Sequence, residues 1–164
     1  MICCGVGEFE CVKMAGIVID AGSSRFLGVL SIENMKYTPY RGASIPDAIT
    51  RIYAAEKLVT FNGTNYDLAP RGEFPELQNL PKSVIHIDMM GHAWNARREF
   101  FGKSLREIYA LIFGRLPSFP DTYEGSNEQD CYMTLKLFEL WEAGKLGPRL
   151  GQESVDVPGI LPHT

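Results

Sequence analysis

Two extended runs stand so close together in this chain that their pairing is decided before any other feature is weighed. Gly16–Asp20 (Gly-Ile-Val-Ile-Asp) and Phe26–Ile32 (Phe-Leu-Gly-Val-Leu-Ser-Ile) are joined only by Ala21-Gly22-Ser23-Ser24-Arg25. A link of hairpin length made of turn formers permits antiparallel pairing alone, because a parallel crossover needs about a dozen residues or more. The chain therefore contains an antiparallel hairpin, and the rest of the fold has to be built around it.

Upstream, Ile2–Val12 reads as another strand, interrupted by Gly5 and Gly7, and downstream Lys36–Tyr40 reads as a short extended piece. Ser44-Ile45-Pro46-Asp47 opens a helix, with Ser44 as N-cap and Pro46 and Asp47 in the first turn. Ile45, Ile49, Ile52 and Tyr53 then recur at helical spacing. Lys57–Phe61 is a strand running into the Asn62-Gly63 turn, Asn65–Leu68 reads as the start of a helix, and Pro70–Pro81 as loop. Ser83–Asp88 is a strand. Ser104 caps a helix with Leu105, Ile108, Leu111 and Ile112 on one face, and Ser118–Asn127 is loop. Glu128–Ala143 is the clearest helix, striped by Cys131, Leu135, Phe138 and Trp141. An antiparallel start followed by alternating strands and helices implies an α/β fold, a mixed sheet with helices packed on it. Residues 1–143 form the folded domain in this reading, and 144–164 a Gly- and Pro-rich C-terminal tail.

Composition narrows the function. With 164 residues, 45% of them hydrophobic and 22% charged, the chain can bury a core of its own, and wholesale disorder is excluded. A net charge of −4 excludes a protein that coats DNA through bulk positive charge, though not a local basic groove. No apolar run approaches the ~18 residues of a membrane span, and Met1–Cys11 lacks a signal-peptide pattern. The expectation is a cytoplasmic protein that does not enter membranes. Cys3, Cys4, Cys11 and Cys131 form no Cys-x-x-Cys pair, so they read as plain reduced cysteines rather than metal knuckles or redox centres.

The chemistry candidates are carboxylates. Glu8 and Glu10, two apart on the first strand, share one face, and like charges side by side are unfavourable unless a cation joins them. Asp67 lies just past a strand and its turn, where sites gather. Asp130 falls in the first turn of the last helix, where an acidic residue also suits the helix dipole. Between the second and third of these, Trp94-Asn95-Ala96-Arg97-Arg98-Glu99-Phe100-Phe101-Gly102-Lys103 interleaves basic and aromatic residues, a pattern for phosphates and stacked bases as well as for a solvated loop with core anchors. Asp88 ends a strand and is expected to accept hydrogen bonds from backbone or from Ser104.

Taken together these segments resemble a known family. Thr60-Phe61-Asn62-Gly63-Thr64-Asn65-Tyr66-Asp67 resembles the second motif of the DnaQ-like (DEDD) 3′–5′ exonucleases. Glu8-Phe9-Glu10 is similar to the family's first motif, Asp-x-Glu, and Ser126-Asn127-Glu128-Gln129-Asp130 to its third, Tyr-x-x-x-Asp. His86-Ile87-Asp88 followed by Lys103-Ser104-Leu105-Arg106 resembles the strand and helix between the second and third motifs. The similarity runs from about Gly5 to Trp141 and is nearest to proofreading domains of phage and bacterial DNA polymerases.

The resemblance implies a ribonuclease H-like fold, a mixed five-stranded sheet whose first three strands are antiparallel, flanked by helices. It implies two-metal hydrolysis of phosphodiester bonds in single-stranded DNA, or RNA, from the 3′ end. Glu8, Glu10, Asp67 and Asp130 would hold two Mg²⁺ or Mn²⁺ ions, and Asn62, Arg97, Arg98 and Lys103 would meet the nucleic acid, with a polymerase supplied in trans as a further partner. Two positions depart from the pattern: Glu8 stands where the family has Asp, and Ser126 where it has Tyr. A second alignment puts the first motif at Asp20, with Gly22 in the Glu position. Glu8 and Glu10 are preferred because the Asp20 strand, second in the chain after Ile2–Val12, then makes the hairpin usual for the family's second strand. The alternative function is a catalytically degenerate ribonuclease H-like domain that binds nucleic acid or a protein partner without cleavage.

Overall fold

The computed structural model describes residues 16–69 and 72–147. Ile2–Val12, and with it Glu8 and Glu10, lies outside the described residues. Five strands form one sheet: β1 (Ile17–Gly22), β2 (Phe26–Ser31), β3 (Tyr37–Arg41), β4 (Lys57–Thr60) and β5 (Ile85–Asp88), in the order β3-β2-β1-β4-β5. The hairpin forms as its short link demands, with Ile17 opposite Ser31 and Gly22 opposite Phe26. β2 and β3 are also antiparallel, whereas β1–β4 and β4–β5 are parallel. The architecture is therefore mixed α/β, with the first three described strands antiparallel.

The strand expected ahead of the Gly16–Asp20 run lies outside the described residues, and among the described strands this run has a definite place. It is the first and the central one, flanked by β2 on one side and β4 on the other.

Alternation along β1 divides the core in two. Ile17 and Ile19 point toward α1 (Ile45–Tyr53), packing with Leu27, Val29, Ala48, Ile52 and Leu58. Val18 points the other way, with Leu30 and Val59, toward α2 (Met89–Ala96), α3 (Leu105–Phe113) and α4 (Tyr123–Glu142). Asp20 and Gly22 share the parity of Val18 and so face α4. Each fully buried large side chain contributes on the order of 2 kcal/mol. Phe74, and Leu77 at the end of a single 3-10 turn (Pro75–Leu77), are fully buried in the α1-side core, so this part of the proline-rich connection packs against the sheet.

Several elements differ from their sequence expectation. Ser44 does not cap α1 with its side chain: its Oγ accepts from Arg41 N–H (2.9 Å) and donates to Arg41 O (2.8 Å), closing the preceding 3-10 turn. Asn65–Leu68 makes successive turns, not a helix. α2 arises where no helix is expected, started by Asp88, whose side chain accepts from Met90 N–H. Leu111 is 51% exposed, and Tyr109 takes its place on the buried face of α3. α4 begins at Tyr123, capped by Thr122, so Asp130 sits well inside the helix and not in its first turn. Past α4, Leu146 is buried in the helix-side core and Gly147 O accepts from Arg97 Nε, so the packed structure continues beyond residue 143. Among the described residues no helix is long and apolar enough to cross a membrane.

Candidate metal centre

Because β1, β4 and β5 are parallel, their carboxyl ends lie along one edge of the sheet, where sites of open α/β sheets form. Asp20 comes from β1, Asp67 from the turns after β4, Asp88 from the end of β5 and Asp130 from α4, which lies across the strands.

Asp67 is 4% exposed. Its Oδ1 accepts from the Ala21 N–H (3.3 Å), which ties it to the residue beside Asp20. Its Oδ2 is buried without a partner. Burial pushes the carboxyl up to about 7; the Ala21 N–H opposes this and the Asp88 charge adds to it. Asp20 is raised well above the ordinary carboxyl range, by burial first, then by the Asp67 charge and the Asp130 charge. Asp130 is raised by burial, with the Arg106 guanidinium acting against it. Burial thus disfavours the charged form of all three carboxylates, and the charges of Asp67 and Asp130 add to the effect on Asp20.

Around them stands a neutral frame. Asn127, itself buried, donates from Nδ2 to Asp20 O (2.9 Å) and Asp20 Oδ2 (3.1 Å), and its Oδ1 accepts from Tyr37 Oη (2.7 Å). Gly28, on the neighbouring strand, lets this amide approach: a Cβ there would overlap Asn127 Oδ1. Gly22 likewise makes room for Tyr123, whose hydroxyl would overlap a Cβ at position 22. Asp88 is used structurally, accepting from Asn62 N–H (2.7 Å), Thr64 N–H (3.1 Å) and Met90 N–H (3.1 Å), which fixes the loop that carries Asp67. Ser104 takes no part in this, since its hydroxyl caps α3.

Of the sequence candidates, Asp67 and Asp130 each act on Asp20 through their charge. Ser126 is exposed on α4. Asn62 adopts a left-handed conformation (φ 67°) and its Oδ1 accepts from Asn65 Nδ2, so it shapes the turn. Arg97 is engaged within the protein: Nε donates to Gly147 O (2.7 Å), Nη1 pairs with Glu99 (3.2 Å), and the guanidinium lies over Phe100. Arg98 and Lys103 are exposed, as is Phe101, while Trp94 is anchored by Nε1 donating to Lys103 O. Asn127, Tyr123 and Arg106 were not singled out from the sequence as frame residues. The available signal was Thr122 as a cap: a helix begun there places 123, 127 and 130 along one face.

The donor set is all oxygen, the chemistry of hard divalent ions, and the orphaned Asp67 Oδ2 is a donor with nothing to bind. Among the described residues no three His, Cys, Asp or Glu groups converge closely enough to form a ready-made cage. Comparisons with known protein families, curated protein sequences and solved structures find no match.

Proposed function

We propose that this chain is a ribonuclease H-like, divalent-cation-dependent nuclease of the DnaQ type, trimming single-stranded nucleic acid from its 3′ end. The observation that carries the reading is Asp67: a buried carboxylate whose Oδ2 has no partner, in the electrostatic reach of Asp20, which also feels Asp130. The strand order β3-β2-β1-β4-β5 is compatible with such a domain. Asp20, Asp67 and Asp130 would hold Mg²⁺ or Mn²⁺. A bound ion supplies a more acidic water and offsets charge at the scissile phosphate. Asn127 orients Asp20, Asp88 holds the Asp67 loop, and Arg106 tempers the charge of Asp130. Exposed Arg98, Lys103 and Phe101 offer a phosphate-and-base contact surface beside α3. Asp20 takes the first-motif role in this reading, and Glu8 and Glu10 enter it from the resemblance alone. A polymerase acting in trans and a cytoplasmic setting likewise belong to the resemblance.

A second reading, a domain that binds nucleic acid or a protein partner without cutting, is favoured by the closed position at Gly22 and the exposed Ser126. Incubation of a 5′-labelled single strand with Mn²⁺ separates the two. Stepwise shortening by the wild type, abolished in Asp67→Asn, supports the nuclease. Retention of the strand on the protein with no shortening supports the binding module.

A further inference from the structure

We propose that the open edge of β5 is a docking edge for the chain's own Ile2–Val12 segment, added as an antiparallel sixth strand; the inference is independent of the nuclease reading. The sheet leaves that segment few places. Both sides of β1 are filled, by β2 and by β4, so a strand just ahead of β1 cannot pair with the strand that follows it in sequence. Among the described strands β3 and β5 have the open edges. On β3, Ser31 N–H donates to Lys36 O (3.0 Å), and the alternation set there turns Thr38 and Tyr40 toward β2 and Pro39 outward. Pro39 stands at the middle of β3 with no N–H to give, which closes that edge to a further strand. On β5, Ile85 N–H donates to Glu56 O (3.0 Å), so His86 turns its N–H and C=O to the open side. No proline or lysine blunts this edge.

The side chains of β5 define what would cover them. Ile85 and Ile87 share the helix-side face; Ile87 packs in the core there, whereas Ile85 is 56% exposed. His86 is on the other face, its Nε2 2.8 Å from Thr60 Oγ1. Alternation along Ile2–Val12 puts Phe9 and Cys11 on one face and Glu8 and Glu10 on the other. With Phe9 opposite Ile85, an aromatic ring covers the exposed isoleucine, Glu8 stands opposite His86, and Val6 rather than a carboxylate stands opposite Asp88. β1, β4 and β5 begin side by side, with Ile17 opposite Leu58 and Lys57 opposite Ile85. The new place therefore lies three strand spacings, about 14 Å, from the start of β1, and the stretch from Cys11 to Gly16 extends to about 17 Å. Glu8 and Glu10 then lie on the α1 side of the sheet, with Leu58 and Thr60, while Asp20 faces α4 with Val18 and Val59. The two glutamates and Asp20 do not form one group.

The test is hydrogen exchange of the full chain followed by NMR, with the His86 amide as reporter. Protection is expected in the wild type. Glu8→Pro, which removes the N–H opposite the His86 carbonyl, is expected to speed that amide by at least about tenfold, while the Val18 and Val59 amides keep their rates. Val155→Pro, and dilution of the wild type, are expected to change nothing at His86. If Glu8→Pro does not fold, a second measurement decides: in a chain with Cys3, Cys4 and Cys11 replaced by serine, mild oxidation is expected to join the two thiols of Phe9→Cys/Ile85→Cys within one molecule. Fast exchange of the wild-type His86 amide, or unchanged protection in a folded Glu8→Pro, would overturn the inference. So would protection lost in Val155→Pro, which assigns the edge to the segment after Gly147, or lost on dilution, which assigns it to a second copy. A disulfide only between molecules, or none, would overturn it as well.

Discussion

Burial holds the Asp67 carboxyl near 7 against an ordinary 3.8, so the folded state binds this proton more tightly than the unfolded chain does. The sign follows from linkage: the stabilising share is complete below about pH 4 and is lost as pH rises through about 7. In metal-free buffer the protein should lose stability across that window, by an amount on the order of a few kcal/mol. Asp67→Asn should flatten the dependence and raise the melting temperature at pH 8, since a neutral amide removes the buried charge that ionisation of Asp67 creates. Melting curves of both proteins between pH 4 and 8 check this; equal slopes would remove Asp67 as the source. Two glycines give a second residue-scale test. A methyl at Gly28 meets Asn127, which is buried and bonded on both ends, as well as the Tyr37 ring at 2.9 Å. A methyl at Gly22 meets the far end of Tyr123, a side chain that is 54% exposed and held, among the described residues, only by its edge-on contact with Phe26 and long contacts to Ser23. Gly28→Ala should therefore destabilise by about 3 kcal/mol and Gly22→Ala by about 1 kcal/mol, in chemical denaturation.

Among the elements, α4 depends on its first turn to bring Tyr123 and Asn127 into place. Thr122 caps that turn, its Oγ accepting from Gly125 N–H at 2.9 Å. Thr122→Ala should lower stability by about 1 kcal/mol, and hydrogen exchange should quicken in residues 123–127 before it does in 131–138. The same element shows what the sequence made legible. The stripe from Cys131 to Trp141 repeats with helical period and is plain. The early turn is hidden because Gly125, Ser126 and Asn127 are poor helix formers, and tertiary contact with β1 and β2 overrides that preference. Ser104 was readable because Ser-x-x-Glu satisfies two orphan amides reciprocally, and both bonds form. α2 escaped notice since Met89–Ala96 has little amphipathic contrast, and Asp88, its cap, looked like the end of a strand.

At the scale of the whole molecule the hairpin was the most legible feature, because chain length alone enforced it. Its place at the centre of the sheet was not, since nothing local tells a strand which neighbour lies on its far side. Leu146, three residues past position 143, is a lone apolar residue among glycines, and its burial at 2% exposure packs it with the helix-side core. Leu146→Ala should cost about 2–3 kcal/mol, measured as a shift of the denaturation midpoint. A value near zero would show that the packing of Leu146 adds nothing to the fold. The two-sided burial of β1 has one more consequence, for how this chain tolerates insertions and deletions. Removing one residue between Ile17 and Asp20 reverses the facing of everything on one side of the cut relative to the other, so either the carboxylate turns into the α1-side core or the apolar residues turn out of it. Removing two keeps the facing and only shortens the strand. Lineages of this chain should therefore vary in length freely at the Ser23–Ser24 turn and hardly at all, or only in steps of two, within the strand that carries Asp20.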